Sequence, residues 1–266
     1  MSEIINPNQK SELNIKKEPL PVTGEQLKRI LQSRDFAKRI REIGSYSRKR
    51  GFEREASFFI FRDLYKENQV VYTKPSKNDP YRPILAIDLG CEYDTGRLVE
   101  AGMDPILVIT LHTHPYTSSQ KGEAIMPSYP DLFLKNDSSQ YFKEDEFYQQ
   151  SGFRATIRPV DAICGIYPKG DMKALLFQEN FDGIIERPAD LHLFHPSQEG
   201  YLPESGKWYK GLLKVQNQDQ ILEVLIGNGY KAEFITVSAD GKISEDDANK
   251  VENFAFQPQI LEIKGQ

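Results

Sequence analysis

The sequence predicts an α+β fold, in which a mixed β-sheet is flanked by helices and followed by a C-terminal extension. Short apolar runs rich in Ile, Val, Phe and Tyr alternate with helical segments, but without the regular strand–helix–strand rhythm of a parallel sheet. The glycine patterns of nucleotide-binding loops, GxxxxGK(S/T) and GxGxxG, are missing from the chain. These two observations favour a mixed sheet over a doubly wound nucleotide-binding fold.

The composition fits a protein with a sizeable core. The 266 residues are 39% hydrophobic and 11% aromatic, enough for one large domain with or without an appendage. The formal net charge of −5 argues against a nucleic-acid partner. Cys91 and Cys164 could pair, but two cysteines in a chain this long favour reduced core residues over a disulfide scaffold, and Cys164 is expected to be an apolar core residue. The two also lack the clustered spacing of a zinc knuckle.

Neither a secretory signal nor a membrane span is apparent. The first residues are polar, and no apolar run approaches the length of a transmembrane helix. We therefore expect a cytoplasmic protein without a membrane partner. Delivery into the cytoplasm of another cell, by a route that needs no N-terminal signal, stays open as the alternative.

Three regions are predicted along the chain. Residues 1–24 are polar and are expected to form a flexible leader. Residues 25–186 form the main domain, and residues 187–266 form the C-terminal extension. Three roles stay open for the extension: completion of the sheet, a small substrate-binding domain, or an interface for a homo-oligomer or a protein partner.

The main domain begins with helical spacing. Apolar residues from Leu27 to Ile43 recur every three to four positions and predict a helix that ends near Gly44. The basic face of this helix is either solvated or a docking surface for an acidic partner.

Apolar runs bounded by Gly, Pro, Asn or Asp predict the strands. They are residues 56–61, 68–73, 82–90 and 106–114, with two further strands inside 160–177. The first two are expected to pair as a hairpin. Between strands, residues 94–103 are either a short helix or a loop, and residues 129–151 are expected to hold one or two helices.

The extension has predicted elements of its own. Residues 187–207 are rich in proline and glycine and predict a loop. Residues 221–243 predict a β-hairpin that turns at Asn228 and Gly229. Ser244, which acidic residues follow, is expected to cap a final helix.

Two of the four histidines lie at the end of the clearest strand. His112 and His114 follow the apolar run ILVITL. Residues two apart in a strand point to the same face, so the pair presents two imidazoles side by side while Thr113 points the other way. Zinc needs this geometry from two of its ligands. An ordinary surface or core role is the alternative for two histidines at this spacing.

A third metal ligand is expected nearby. A catalytic zinc typically takes three protein ligands and leaves one position for water. Asp131 is well placed to be the third, because it follows Pro127, Ser128, Tyr129 and Pro130 in a segment that is about to begin a helix.

These residues together resemble the signature of the JAMM/MPN+ zinc metalloproteases, which include the JAB-domain isopeptidases. That signature is an upstream glutamate, an apolar strand that ends in His-(Ser/Thr)-His-Pro, and then Ser-x-x-Asp. This chain has His-Thr-His-Pro at 112–115 and Ser-Tyr-Pro-Asp at 128–131. The resemblance covers roughly residues 30–180 and implies an MPN/JAB-like fold with a cytidine-deaminase-like core.

The resemblance implies a role for each matching position. His112, His114 and Asp131 would be the ligands of Zn²⁺, and Ser128 would help to stabilise the oxyanion. The general base is expected at Glu55, which precedes two small residues and an apolar strand. Glu53 and, more distantly, Glu92 are the alternatives for the base.

The spacing between the second histidine and the aspartate departs from the family pattern. The segment 115–130 is longer than the usual spacer. Because the entropic cost of closing a loop grows slowly with its length, the insertion can leave the ligands in place. The insertion would lie at the rim of the site and select or cover the substrate, and Glu123 within it is a further candidate contact. A decayed site is the alternative. His192 and His195 are either packing residues or a second metal site.

The resemblance implies a zinc-dependent hydrolase of peptide or isopeptide bonds. Its substrate class would be the tail of ubiquitin or a ubiquitin-like protein, extended along a sheet edge. Two alternatives stay open: a non-catalytic MPN-type scaffold or binding module, and a JAMM-type effector or toxin that acts on another protein.

Overall fold

The computed structural model describes residues 18–49, 56–77, 96–114, 127, 159–166, 172–179, 217–227 and 229–258. The predicted strand at 82–90, the helices at 129–151 and the loop at 187–207 lie outside these residues. Within the described ranges, no helix is both long enough and apolar enough to cross a membrane.

The described residues form a mixed sheet with flanking helices, which confirms the α+β class. The helices are α1 (Gly24–Leu31), α2 (Arg34–Lys49), α3 (Gln218–Gly227) and α4 (Glu245–Lys250), and a 3₁₀-helix follows at Val251–Phe254. The strands are β1 (Ala56–Asp63), β2 (Lys66–Tyr72), β3 (Ser76–Lys77), β4 (Pro105–His114), β5 (Val160–Gly165), β6 (Met172–Glu179) and β7 (Tyr230–Val237). Residues 96–100 are helical, which decides between the two alternatives for that segment.

The seven described strands make one sheet in the order β2-β1-β4-β5-β6-β7, and β3 pairs with the start of β1. The β1–β2 hairpin and the β5–β6 pair are antiparallel, as the sequence predicts. β4 and β5 are parallel. Their carboxyl ends therefore meet at one edge of the sheet, where His114 lies beside Gly165.

The helix predicted from Leu27 to Gly44 is two helices. The chain breaks after α1, and Ser33 Oγ accepts a hydrogen bond from Phe36 N at 3.0 Å at the start of α2. Gly44 does not end α2, which continues to Lys49. A Cβ at Gly44 would lie 2.9 Å from Met172 Sδ, so the glycine allows the helix to approach β6 closely.

The main core lies between the sheet and the helices α1, α2 and the 3₁₀-helix. Its fully buried side chains include Phe36 and Ile40 from α2, Phe58 from β1 and Phe254 from the 3₁₀-helix. The opposite face carries two smaller apolar clusters. One consists of Phe59, Phe61 and Met103, and the other joins Ile163, Leu175 and Phe177 to Ile221 and Leu225 of α3.

Residues 230–258 belong to the same sheet and core. β7 pairs with β6 from Tyr230 to Val237, and Ile235, Val237 and Phe254 lie in the main core. Completion of the sheet, one of the three roles left open for the extension, is thus observed for this part of it. The predicted boundary at residue 186 lies outside the described residues.

The hairpin predicted over 221–243 is wrong in its first half. Residues 218–227 form α3, and only the second half is a strand. Ile221 and Leu225 are one helical turn apart and are both fully buried against the sheet, so tertiary packing selects the helix. The helix cap predicted at Ser244 is confirmed, because Ser244 Oγ accepts a hydrogen bond from Asp247 N at 3.1 Å.

The predicted leader is too long at its C-terminal end. The buried Arg62 guanidinium donates hydrogen bonds to Leu20 O at 2.5 Å and to Pro21 O at 2.7 Å. Val22 is fully buried and pairs with Phe256. The chain is therefore fixed on the domain from Leu20 onward, while residues 1–17 lie outside the described ranges.

Candidate metal centre

β4 carries the two histidines side by side at its carboxyl end. The Nε2 atoms of His112 and His114 are 3.0 Å apart, and the ring centroids are 4.9 Å apart with the rings inclined by 53°. His112 is 9% exposed and His114 is half-buried. The side-by-side arrangement expected from strand alternation is therefore present.

The spacing of the two nitrogens fits a shared metal ion. Two nitrogens that bind tetrahedral zinc at about 2.05 Å each lie ~3.3 Å from one another. The observed 3.0 Å is within a small ring rotation of that value. The same spacing also allows a hydrogen bond from one ring to the other, with the donor set by the tautomer.

The described residues include no third metal ligand beside the two histidines. Within them, no three His, Cys, Asp or Glu side chains come together in a way that would hold a metal ion. Asp131 lies outside the described ranges. So do Ser128, the base candidates Glu55, Glu53 and Glu92, the loop residue Glu123, and the histidines His192 and His195. Pro127, directly before Ser128, is described and is buried.

Thr113 points away from the histidines and joins three elements. It is fully buried, and its Oγ1 accepts a hydrogen bond from Ala56 N at 2.9 Å and lies 3.0 Å from Ser47 Oγ. Ser47 belongs to α2, and Ala56 is the first residue of β1. The strand that carries both histidines is thus tied to the start of β1, one position after Glu55.

The face that carries the histidines also carries a hydroxyl–carboxylate pair. Thr110 lies two positions before His112 and donates a hydrogen bond to Oδ1 of Asp161 on β5. Asp161 is only 7% exposed. Sequence reasoning missed this pair. The signal for it was an aspartate inside the apolar run VDAICG, where a charged side chain needs a specific partner.

Apolar and small residues surround the histidines on the neighbouring strands. Ser57 of β1 lies opposite His112 on one side, and Ile163 of β5 lies beside it on the other. Gly165 lies beside His114 and presents no side chain there. The neighbours that the sheet places directly beside the pair are thus one serine, one isoleucine and one glycine.

Cys164 is an apolar core residue, as the sequence predicts. It is fully buried in the main core, and this burial raises the pKa of its thiol to about 12. A thiol with so high a pKa is a poor nucleophile near neutral pH.

Comparison with protein-family models, with curated proteins and with solved structures finds no match. Function is therefore inferred from the chemistry of the histidine pair and from the motif around it.

Proposed function

We propose that this protein is a zinc-dependent hydrolase of peptide or isopeptide bonds. The observation that supports this most strongly is the pair of imidazole nitrogens 3.0 Å apart at the end of β4. The pair belongs to a His-Thr-His-Pro sequence that Ser-x-x-Asp follows, which is the pattern of the JAMM/MPN+ metalloproteases. Geometry and motif agree on the same two residues.

His112, His114 and Asp131 would hold the metal ion. Bound zinc supplies a Lewis acid and lowers the pKa of a coordinated water to about 7. A neutral imidazole is required at each histidine, with its Nε2 lone pair directed at the metal. The 3.0 Å between the two Nε2 atoms is compatible with such a shared ion.

Glu55 would act as the general base and acid. It would take the proton from the attacking water and give it to the leaving amine, and Ser128 would donate a hydrogen bond to the developing oxyanion. Glu55 directly precedes β1, the strand whose residue Ser57 lies opposite His112. This adjacency to β1 favours Glu55 as the base over Glu53, which lies two residues further from the strand.

The substrate we propose is the extended tail of ubiquitin or of a ubiquitin-like protein joined to another protein. The resemblance to the JAMM family supports this choice. The same site on an effector that acts on another protein would use the same chemistry. A scaffold or binding module of the MPN type would need neither zinc nor Glu55.

The proposal is tested by cleavage of isopeptide-linked ubiquitin dimers. We expect the zinc-loaded wild type to release monomers, and Glu55→Gln to be slower by ~10²–10⁴-fold, the range typical of a lost general base. Glu55→Gln should keep its metal, which separates loss of the base from loss of the site. Glu53→Gln is the matched control and should stay active.

Two outcomes would contradict the proposal. One is a folded, zinc-loaded wild type that cleaves neither isopeptide-linked dimers nor unstructured peptides. The other is full activity in His114→Ala, since that variant removes a predicted zinc ligand.

A further inference from the structure

Ser57 lies next to the histidine pair. In the antiparallel ladder between β1 and β4, Ser57 is the residue directly opposite His112. Paired residues in such a ladder point to the same face, with Cβ atoms about 4.5–5.5 Å apart. The Ser57 side chain is therefore on the face of the histidines and not on the face of Thr113.

The Ser57 hydroxyl is buried without a hydrogen-bond partner in the described part of the chain. Its residue is 1% exposed, and its Oγ makes no hydrogen bond there. Nearby buried hydroxyls differ in this respect. Thr113 Oγ1 accepts from Ala56 N, and Thr73 Oγ1 accepts from Phe59 N at 2.9 Å.

An unpaired buried hydroxyl destabilises a fold, because the group gives up its hydrogen bonds to water and gains none in return. An alanine would fill nearly the same space at this position without that cost. The position of Ser57 opposite His112 suggests why a serine is there: its partner is a molecule that binds at the histidines.

We propose that Ser57 Oγ donates a hydrogen bond to an oxygen atom of the substrate, a carbonyl or a carboxylate, held beside His112. The identity of this substrate rests on the function proposed above. His112 is 9% exposed and the neighbouring Ile163 is fully buried, so water competes weakly for the oxygen. A single donor in such surroundings orients its ligand strongly.

The first test compares two buried serines in the metal-free protein by urea unfolding. Ser57→Ala should leave the unfolding midpoint unchanged or raise it, because no internal hydrogen bond is lost. Ser47→Ala is the matched control, since Ser47 is also 1% exposed but bonds to Thr113. It should lower the midpoint.

The second test measures binding of acetate, a minimal carboxylate, to the cobalt-substituted protein by its visible spectrum. One metal ion per chain is expected in the wild type, in Ser57→Ala and in Ser47→Ala. The acetate Kd should rise about 10–150-fold in Ser57→Ala, as expected for one lost hydrogen bond to a charged group. It should stay within about twofold of wild type in Ser47→Ala.

Three results would overturn the inference. A drop in the midpoint of Ser57→Ala as large as that of Ser47→Ala would mean that the hydroxyl bonds inside the protein. An unchanged acetate Kd in metal-loaded Ser57→Ala would mean that Ser57 Oγ does not contact the ligand, while the metalloprotease proposal would still stand. A folded wild type that takes up no metal would contradict the proposed function, and the inference would fail with it.

Discussion

Thr113→Val is expected to destabilise the protein although both histidines stay in place. Valine has nearly the size of threonine but carries a methyl group in place of Oγ1. The variant therefore removes the acceptor of the Ala56 N–H and the 3.0 Å contact to Ser47 Oγ. Both groups lie in the interior next to the start of β1.

The expected loss follows from these two interactions. Leaving the buried Ala56 amide without its acceptor costs about 1–3 kcal/mol. The lost bond between the hydroxyls of Thr113 and Ser47 adds about 0.5–1.5 kcal/mol. The free energy of unfolding should therefore fall by about 1.5–4.5 kcal/mol in total.

Urea unfolding followed by far-ultraviolet circular dichroism measures this loss. Thr113→Ser is the matched control, because it keeps the hydroxyl and loses only a buried methyl group, worth about 1 kcal/mol. A Thr113→Val loss no larger than that of Thr113→Ser would refute the reasoning. It would mean that Oγ1 does not hold the start of β1 to β4.

Three further predictions test other parts of the fold. Gly241 and Gly102 both have positive φ, at 81° and 76°, but a Cβ would collide with the Ala37 carbonyl oxygen only at Gly241. In urea unfolding, the free energy of unfolding should fall by about 1–2 kcal/mol in Gly102→Ala and by clearly more in Gly241→Ala. Equal losses in the two variants would contradict the collision at Gly241. Arg62→Met removes the hydrogen bonds that fix Leu20 and Pro21. It should lower the free energy of unfolding by about 2–4 kcal/mol and make this segment accessible to limited proteolysis. An unchanged cleavage pattern would argue against that role. Because burial raises its thiol pKa to about 12, Cys164 in a Cys91→Ser background should react with Ellman's reagent at pH 8 only after unfolding, and rapid reaction of the folded protein would contradict its burial.

The sequence predicts those features that depend on alternation within one strand. The runs at β1, β2, β4, β5 and β6 carry β-branched and aromatic residues with clear boundaries, and they are strands in the structure. The same alternation explains why His112 and His114 share a face while Thr113 faces the core. The alternation of side chains between the two faces depends on the strand alone and not on the strands that pair with it.

Features that depend on tertiary contacts could not be predicted in this way. Gly44 resembles a helix stop, yet it lies inside α2, where the helix packs closely against the Met172 side chain of β6. The short apolar run at 221–226 fits a strand as well as a helix, and burial against β5 and β6 selects the helix.

Cross-strand neighbours of the site were hidden for the same reason. Ser57 comes to lie opposite His112, and Asp161 beside Thr110, only through the register of three strands. The β1–β4 ladder also shifts register at a bulge between Ile60 and Phe61, which no local sequence pattern predicts. The sequence therefore predicts that the two histidines share a face, but it does not predict which residues of the neighbouring strands lie beside them.

The measurement that tests the central claim most directly is the zinc content of the purified protein by elemental mass spectrometry. Wild type, His114→Ala and His195→Ala would be compared after the same purification, with folding checked by circular dichroism. We predict about one zinc per chain in wild type and in His195→Ala, and loss of that zinc in His114→Ala. A folded wild type without zinc, or a His114→Ala variant that keeps it, would contradict a metal centre at the end of β4.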